Sequence, residues 1–243
     1  MPPQKRNLCV IWLSAMVSMA PIFAFANPFG CELTHASDAD IEKCNRAAIA
    51  DIANEGIRTI SYSAARERMY QYVDVYTNAD GERVVKSVYT PDEYPVGDIG
   101  IPQNGVNCEH TYPQSFLKSS PRFAEARSDL FHLFPVNDRE NTSRSNLPYA
   151  NCGNKNPERG LRCSAGYEPP NAHKGIVARA LFYIATTYSL SIDNAQESVL
   201  RKWHVAFPVT VSEVQRFHRV SDVQGNQNPF VTHPEWVNFI SDF

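Results

Sequence analysis

Positive charge is scarce in this sequence. Its 243 residues carry 23 lysines and arginines against 26 aspartates and glutamates, a formal net charge of −3. That balance is unfavourable for binding a polyanion by bulk charge, and a local patch matters more than the sum for phosphate contact. Closely spaced cysteine pairs are also missing, so none of the 6 cysteines reads as part of a structural zinc site. Beyond residue 26 no apolar run approaches the ~20 residues that span a bilayer. No internal repeat or low-complexity linker divides the chain. His173, His204, His218 and His233 lack a shared-ligand spacing and read as ordinary surface or core residues.

At the N-terminus, Lys5 and Arg6 precede the apolar run Leu8–Ala26, which ends in Ala24-Phe25-Ala26, a small-x-small cleavage pattern. Residues 1–26 read as an export leader, with an uncleaved anchor as the alternative; Pro21 and the ending favour removal. Residues 27–243 then make one domain of 217 residues, long enough for a proper core. Export permits disulfides. The five remaining cysteines are an odd number, so at least one thiol stays unpaired or bonds another chain. Proximity favours Cys31–Cys44 and Cys152–Cys163 with Cys108 left over, although the sequence allows other pairings. Without Lys5 and Arg6 the formal charge is −5, unevenly spread. Asn27–Val106 holds 7 basic and 13 acidic residues, whereas Arg139–Arg219 holds 11 basic and 6 acidic.

Periodicity predicts a helix over Asp38–Ala53, capped by Ser37 or Asp38, with Ile41, Cys44, Ala48, Ile49 and Ile52 inward. A second helix over residues 61–73 buries Tyr62, Ala65, Met69 and Tyr72 or Val73. After the turn at Asn78–Gly81, residues 83–90 read as a strand and 91–105 as irregular chain. Val106–His110 is a short strand ending before Pro113. A loop with one helical turn leads to a second strand, Asp129–Pro135, with Leu130, His132 and Phe134 on one face. A helix over Asp138–Asn146 follows. Further helices are expected over Lys174–Tyr188, from Asp193 through Ala206, and more briefly over Ser212–Arg219. Residues 224–236 read as an ordered tail loop that packs Phe230 and Trp236. The fold class is α+β: a mainly helical single domain around a small sheet.

The most interpretable chemistry lies between Asn107 and Asn146. Glu109 offers a carboxylate to a hard metal, His110 a titratable imidazole, Asn141 a neutral oxygen ligand and Arg144 a planar cation for phosphate. Asn141 and Arg144 stand i, i+3 on their helix and share a face. Magnesium held by Glu109 and Asn141, with His110 as proton acceptor, suits hydrolysis of a phosphodiester. Geometry raises one objection. Adjacent strand residues point to opposite faces, so Glu109 and His110 meet only if the chain bends or bulges at the strand end.

These residues sit in ordered motifs: Glu109-His110 with Pro113 and Ser115; Asp129-Leu130 with Leu133 and Pro135; Asn141 with Arg144 and Asn146; Lys174-Gly175 with Ala178-Arg179; Trp203; and Gly225-Asn226 with Asn228 and Phe230. Upstream, Tyr62 with Ala65-Arg66, and Val88-Tyr89-Thr90, belong to the same set. Together they make the chain resemble the secreted bacterial endonuclease I family, whose site is a ββα-metal, or His-Me, finger. The resemblance covers nearly all of residues 27–243. It implies a weakly sequence-selective endonuclease acting on DNA and sometimes RNA. By similarity, His110 activates water and Glu109 and Asn141 carry magnesium, with manganese or calcium as alternatives. Cleavage leaves a 5′-phosphate and a 3′-hydroxyl.

Departures from the family pattern are also present. Phe131-His132 stands where relatives often carry His-Asn, and His132 is either a replacement polar support or a core histidine. Some relatives place an arginine near the leaving phosphate in a longer insertion; here Arg122 or Arg127 is available for that role, and Lys174 and Arg179 on the basic helix are further phosphate candidates. Asn141-Thr142-Ser143 fits a glycosylation acceptor, and its conflict with a metal-ligand role favours a bacterial periplasmic or secreted route. Two other readings stay open: a nuclease acting mainly on RNA or single strands, and an inactive secreted binding domain. Stable membrane insertion is not expected after leader removal. Oligomeric state is open, with a monomer favoured.

Overall fold

A computed structural model describes residues 27–31, 36–98, 100, 102 and 104–243. The leader expected over residues 1–26 lies outside the described residues. Helix α1 spans Asp38–Asn54 and begins with a capping box in which the Ser37 hydroxyl accepts from the Asp40 N–H at 3.2 Å and the Asp40 carboxylate accepts from the Ser37 N–H at 3.3 Å. Its buried ridge is Asn45, Ile49 and Ala53, so Cys44 faces outward rather than inward as expected. A polar residue takes the inward place because Asn45 is bonded there: its amide donates to the Phe239 carbonyl at 3.2 Å and accepts from Asn27 at 2.8 Å.

Helix α2 (Tyr62–Arg68) widens into a π turn at Met69–Val73 that buries Met69, Tyr70 and Val73. Strands β1 (Val75–Thr77), β2 (Arg83–Lys86) and β3 (Glu93–Pro95) form an antiparallel sheet in that order. The expected strand over 83–90 therefore stops at Lys86. Strand β4 (Val106–His110) ends where expected, and two short helices, α3 (Gln114–Leu117) and α4 (Phe123–Ser128), replace the anticipated loop.

The second strand of the pair starts later than expected. Asp129 caps a 3-10 turn at Leu130–His132, and β5 runs over Leu133–Asn137. The buried Asp129 carboxylate accepts from the Phe131 N–H at 2.9 Å, Tyr183 at 2.7 Å, Tyr188 at 2.8 Å and Gln224 at 3.0 Å. Four donors pin the chain into a turn there, which removes the strand alternation assigned to Leu130 and His132. β4 and β5 pair antiparallel from Val106↔Asn137 to His110↔Leu133. The Asn137 side chain then caps α5 (Asp138–Arg144) by accepting from Arg139 and Glu140. Two strands and a helix thus close one ββα unit.

A third pair, β6 (Leu161–Cys163) with β7 (Gly166–Glu168), completes the strands, so the strands form three separate antiparallel sheets among the described residues rather than one. Helix α6 (Asn171–Thr187) buries 14 of its 17 residues, which makes it the axis of the core, flanked by α1 and α7 (Asn194–Ala206). A Cβ at Gly175 would collide with the Phe207 carbonyl and the Arg179 guanidinium, so this close approach requires glycine. Helix α8 (Val211–Gln224) runs well past the expected Arg219 and stops at Gly225, left-handed at φ +82°. The expected tail loop contains α9 (Pro229–Thr232) and a 3-10 turn at Pro234–Phe239. Phe230 is fully buried there and Trp236 packs partly against the core.

Buried hydrophobic residues from all these layers form a contiguous cluster. Disulfides join Cys31 to Cys44 and Cys152 to Cys163, and Cys108 is a buried free thiol. Both bonds are the pairings that proximity favoured, and the second closes the segment from Cys152 to Cys163. Among the described residues no helix is long and apolar enough to cross a membrane.

Candidate active site

The end of β4 carries both expected reactive residues, and its register with β5 is unbroken through His110. The bend or bulge anticipated there is absent, so adjacent side chains keep their opposite directions. Glu109 enters a cluster with Tyr89, Tyr149 and Arg144, whereas His110 lies among Tyr62, Arg127 and His132. The site straddles the strand.

Glu109 is 1% exposed. Its Oε1 accepts from Arg144 at 2.8 Å, from the Tyr89 hydroxyl at 3.0 Å and from the Tyr149 hydroxyl at 3.4 Å. All three bonds converge on one oxygen, and Oε2 accepts none from the described residues. Burial raises the carboxyl above its usual range, against the opposing pull of Arg144 and the two tyrosines.

On the other side, His110 Nε2 lies 3.0 Å from the Arg127 backbone carbonyl. A carbonyl only accepts, so Nε2 carries the proton and Nδ1 presents its lone pair. Tyr62 and His132 rings flank the imidazole at 5.4 and 5.3 Å. Burial, then His132 and the nearby Arg127 and Arg144 cations, push its pKa down to about 2.

Arg144 was expected to clamp phosphate and is placed otherwise. It is 1% exposed. One terminal nitrogen donates to Glu109 and to the His110 carbonyl at 3.0 Å, the other to the Thr111 carbonyl at 2.8 Å. Its guanidinium lies 4.6 Å from the Tyr149 ring centre. The side chain ties α5 to the end of β4 and fixes both reactive residues from behind. Asn141, one turn earlier on α5, is half-buried, and its amide makes no hydrogen bond with the described residues.

The remaining phosphate candidates divide sharply. Lys174 is buried on Glu168 at 2.6 Å, and Arg179 is buried in a two-point pair with Glu213 at 2.6 Å per contact. Both cations are enclosed by their partners, contrary to the expectation of phosphate contact. Arg122 is held by Glu125, Asn54 and the Thr187 carbonyl, and stacks 4.7 Å from the Tyr188 ring. Arg127 is different. Its Nε donates to Gln114 at 2.9 Å and its guanidinium covers Tyr62 at 4.2 Å, while its terminal nitrogens have no partner among the described residues. It is a half-buried cation beside His110.

His132 is fully buried, its Nε2 lying 2.7 Å from the Ala126 carbonyl, and packs as a core residue beneath His110. Tyr149 and Gln114 escaped the sequence reading, since nothing in their local pattern distinguishes them. Tyr89 and Tyr62 lay within the noted motifs but carried no assigned role. Cys108 is inert: burial pushes its thiol up to about 12.

Among the described residues no three His, Cys, Asp or Glu side chains gather into a metal cluster. The donors left open are one carboxylate oxygen, Glu109 Oε2, and the Asn141 amide. By donor chemistry, hard oxygens of this kind suit magnesium, which keeps several waters and takes phosphate oxygens, better than zinc; no contact joins the two among the described residues.

A model of the family described as endonuclease I matches residues 45–235. Among curated proteins, an extracellular ribonuclease of Bacillus amyloliquefaciens is 32% identical over 176 residues, covering 63% of this chain and 60% of that protein. An endonuclease-1 of Buchnera aphidicola is 30% identical over 117 residues, covering 45% of this chain and 46% of that protein. An extracellular deoxyribonuclease of Aeromonas hydrophila is 28% identical over 120 residues, 46% of this chain and 52% of that protein. The chain thus spans about half the length of the curated relatives it matches.

Proposed function

The chain belongs to the endonuclease I family, and from that premise we propose that it is an exported, metal-dependent endonuclease hydrolysing phosphodiester bonds in DNA and RNA. Relatives named as extracellular ribonuclease, extracellular deoxyribonuclease and periplasmic deoxyribonuclease support both substrate classes and an extracellular or periplasmic setting. The observation that carries the chemistry is the His110 ring. With its Nε2 held on the Arg127 carbonyl, the neutral ring is left with Nδ1 as its proton-accepting atom.

Glu109 Oε2 and the Asn141 amide would hold magnesium, which when bound supplies stabilisation of charge on the phosphate and the leaving oxygen. Because the Glu109 and His110 side chains enter different clusters, one phosphate would have to lie across the end of β4 to meet both; His110 Nδ1 then takes a proton from water as the water oxygen bonds to phosphorus. The bond from phosphorus to the 3′ oxygen breaks, that oxygen takes a proton from solvent, and a 5′-phosphate and 3′-hydroxyl remain. Arg127 offers its terminal nitrogens to a phosphate oxygen beside the base. Arg144 positions His110 and Glu109 and touches no substrate. Contacts to the backbone alone give weak sequence selectivity and a strong dependence on salt.

Digestion of unrelated plasmids with and without EDTA tests the reading. Complete loss on chelation, restored by magnesium, is expected; undiminished cleavage without metal overturns the metal assignment. Glu109→Ala should abolish metal-assisted cleavage, whereas His110→Ala should retain metal binding and lose turnover. Binding without cleavage at every divalent ion tried would make the chain a binding domain instead.

A further inference from the structure

A cavity of about 560 Å³ is lined in part by residues that begin two positions beyond β4 and α5. Tyr112 and Pro113 follow His110 in the chain, and Asn146 follows Arg144 at the end of α5. The opposite wall is Leu181 of α6 and the Ser191–Gln196 segment that opens α7. Its volume lies within the ~300–1,000 Å³ range of small-ligand pockets. Tyr112 is rigid, its hydroxyl donating to the Ser191 carbonyl at 2.8 Å, while Phe116 stands 49% exposed.

The chemistry of the walls selects the occupant. None of the described lining residues is lysine or arginine, and Asp193 adds a carboxylate whose Oδ2 accepts no hydrogen bond from described residues. A phosphate is therefore repelled from the cavity. An uncharged flat group with donor and acceptor edges is welcomed: Phe116 offers a ring face, and Ser115, Asn146 and Asp193 offer polar edges. Ser115 and Asn146 are motif positions to which the hydrolytic step gives no task.

We propose that this cavity receives a nucleobase of the cleaved strand, adjacent to the scissile phosphate, and that it directs the enzyme to single-stranded or locally unpaired nucleic acid. The proposal rests on the nuclease reading and names the form of substrate for that same site. A base inside a duplex is stacked and paired on both sides, so it reaches such a pocket only by leaving the helix at a cost of a few kcal/mol. An unpaired base enters at no pairing cost, stacking on the exposed ring as in other single-strand sites.

The test measures binding of the full chain, in EDTA, to a fluorescent single-stranded oligonucleotide with phosphorothioate linkages. A series with one abasic position moved along the strand, and the duplex form, are compared using wild type, Phe116→Ala and Phe116→Tyr. One abasic position should weaken binding about tenfold, the scale of losing one stacked base. Phe116→Ala should weaken the intact strand by a similar factor, add nothing on that abasic strand, and be rescued by Phe116→Tyr. The duplex should bind more weakly than the single strand. Indifference to every abasic position, or an equal loss by Phe116→Ala on intact and abasic strands, overturns the subsite while leaving the nuclease reading intact. Absence of all nucleic-acid binding overturns both. Cleavage of unmodified strands with magnesium reports on the hydrolytic reading separately.

Discussion

Two buried arginine–glutamate pairs stand in different parts of this molecule, and they are built differently. In the helical part, Arg179 meets Glu213 through both carboxylate oxygens at 2.6 Å each, and another of its nitrogens reaches the Phe207 carbonyl. In the ββα unit, Arg144 meets Glu109 through one oxygen and turns the rest of its fork to the His110 and Thr111 carbonyls. The first carboxylate is closed, and the second keeps an oxygen open. Burial is the same for both, with all four side chains at 5% exposure or less. How the cation approaches, not how deeply it lies, separates a closed carboxylate from one with an oxygen left open.

The largest test of that contrast is catalytic. Glu109→Gln should lower cleavage per folded molecule by at least ~10²-fold, the scale of removing one charge-stabilising group. His110→Ala should lower it ~10²–10⁴-fold, the contribution of a general base. Glu213→Gln should leave cleavage per folded molecule unchanged. Initial rates normalised to folded protein decide the matter, and an equal collapse in Glu213→Gln would erase the distinction between open and closed pairs.

Stability gives the next effect in size. Removing one partner of a buried pair strands the other charge, at a cost of about 3–5 kcal/mol. Glu213→Gln should show that loss in urea unfolding, because Arg179 keeps only neutral acceptors, the amide oxygen and the Phe207 carbonyl. Glu109→Gln should lose less, since Arg144 keeps two backbone carbonyls and the face of Tyr149. A larger loss at Glu109 would mean that its pair is the structural one.

Metal should then discriminate between the same two variants. A ligand at a hundred times its Kd stabilises the folded state by about 2.7 kcal/mol. Magnesium should raise the melting temperature of wild type and of Glu213→Gln and leave Glu109→Gln unmoved. A shift that survives Glu109→Gln would put the cation elsewhere.

The open carboxylate's identity was legible in the sequence, whereas the contrast itself was not, for physical reasons. Glu109, His110 and Asn141 stood out because hard oxygen donors and an imidazole are chemically distinctive and sat in ordered motifs. The β4 bounds and the starts of α1 and α7 followed from capping and periodicity. What the sequence hid was direction. Lys174, Arg179 and Arg144 read as cations for phosphate because charge is visible in a sequence, whereas the acids that enclose them lie up to 35 residues away. The late start of β5 depends on Asp129 collecting donors from α6 and α8, contacts that no local pattern encodes. Tyr149 was invisible for the same reason.

The smallest effect concerns His132, the histidine packed against His110. Burial holds the His132 pKa down to about 3, whereas an unfolded histidine titrates near ~6.5. Between those values the unfolded chain takes up a proton that the folded chain refuses. The stabilisation is therefore complete above about pH 6.5 and is lost as pH falls toward 3. At pH 5 one such group costs on the order of 2 kcal/mol. Buried carboxylates raised by burial, Glu109 and Asp129, act in the opposite sense, so the informative quantity is a difference. His132→Gln keeps an amide able to donate to the Ala126 carbonyl and removes the titration. Urea unfolding at pH 7.5 and pH 5 should show wild type losing about 2 kcal/mol more than this variant. Equal losses would mean that His132 reaches solvent when protonated, and that the layer under His110 is looser than the closed pair at Arg179.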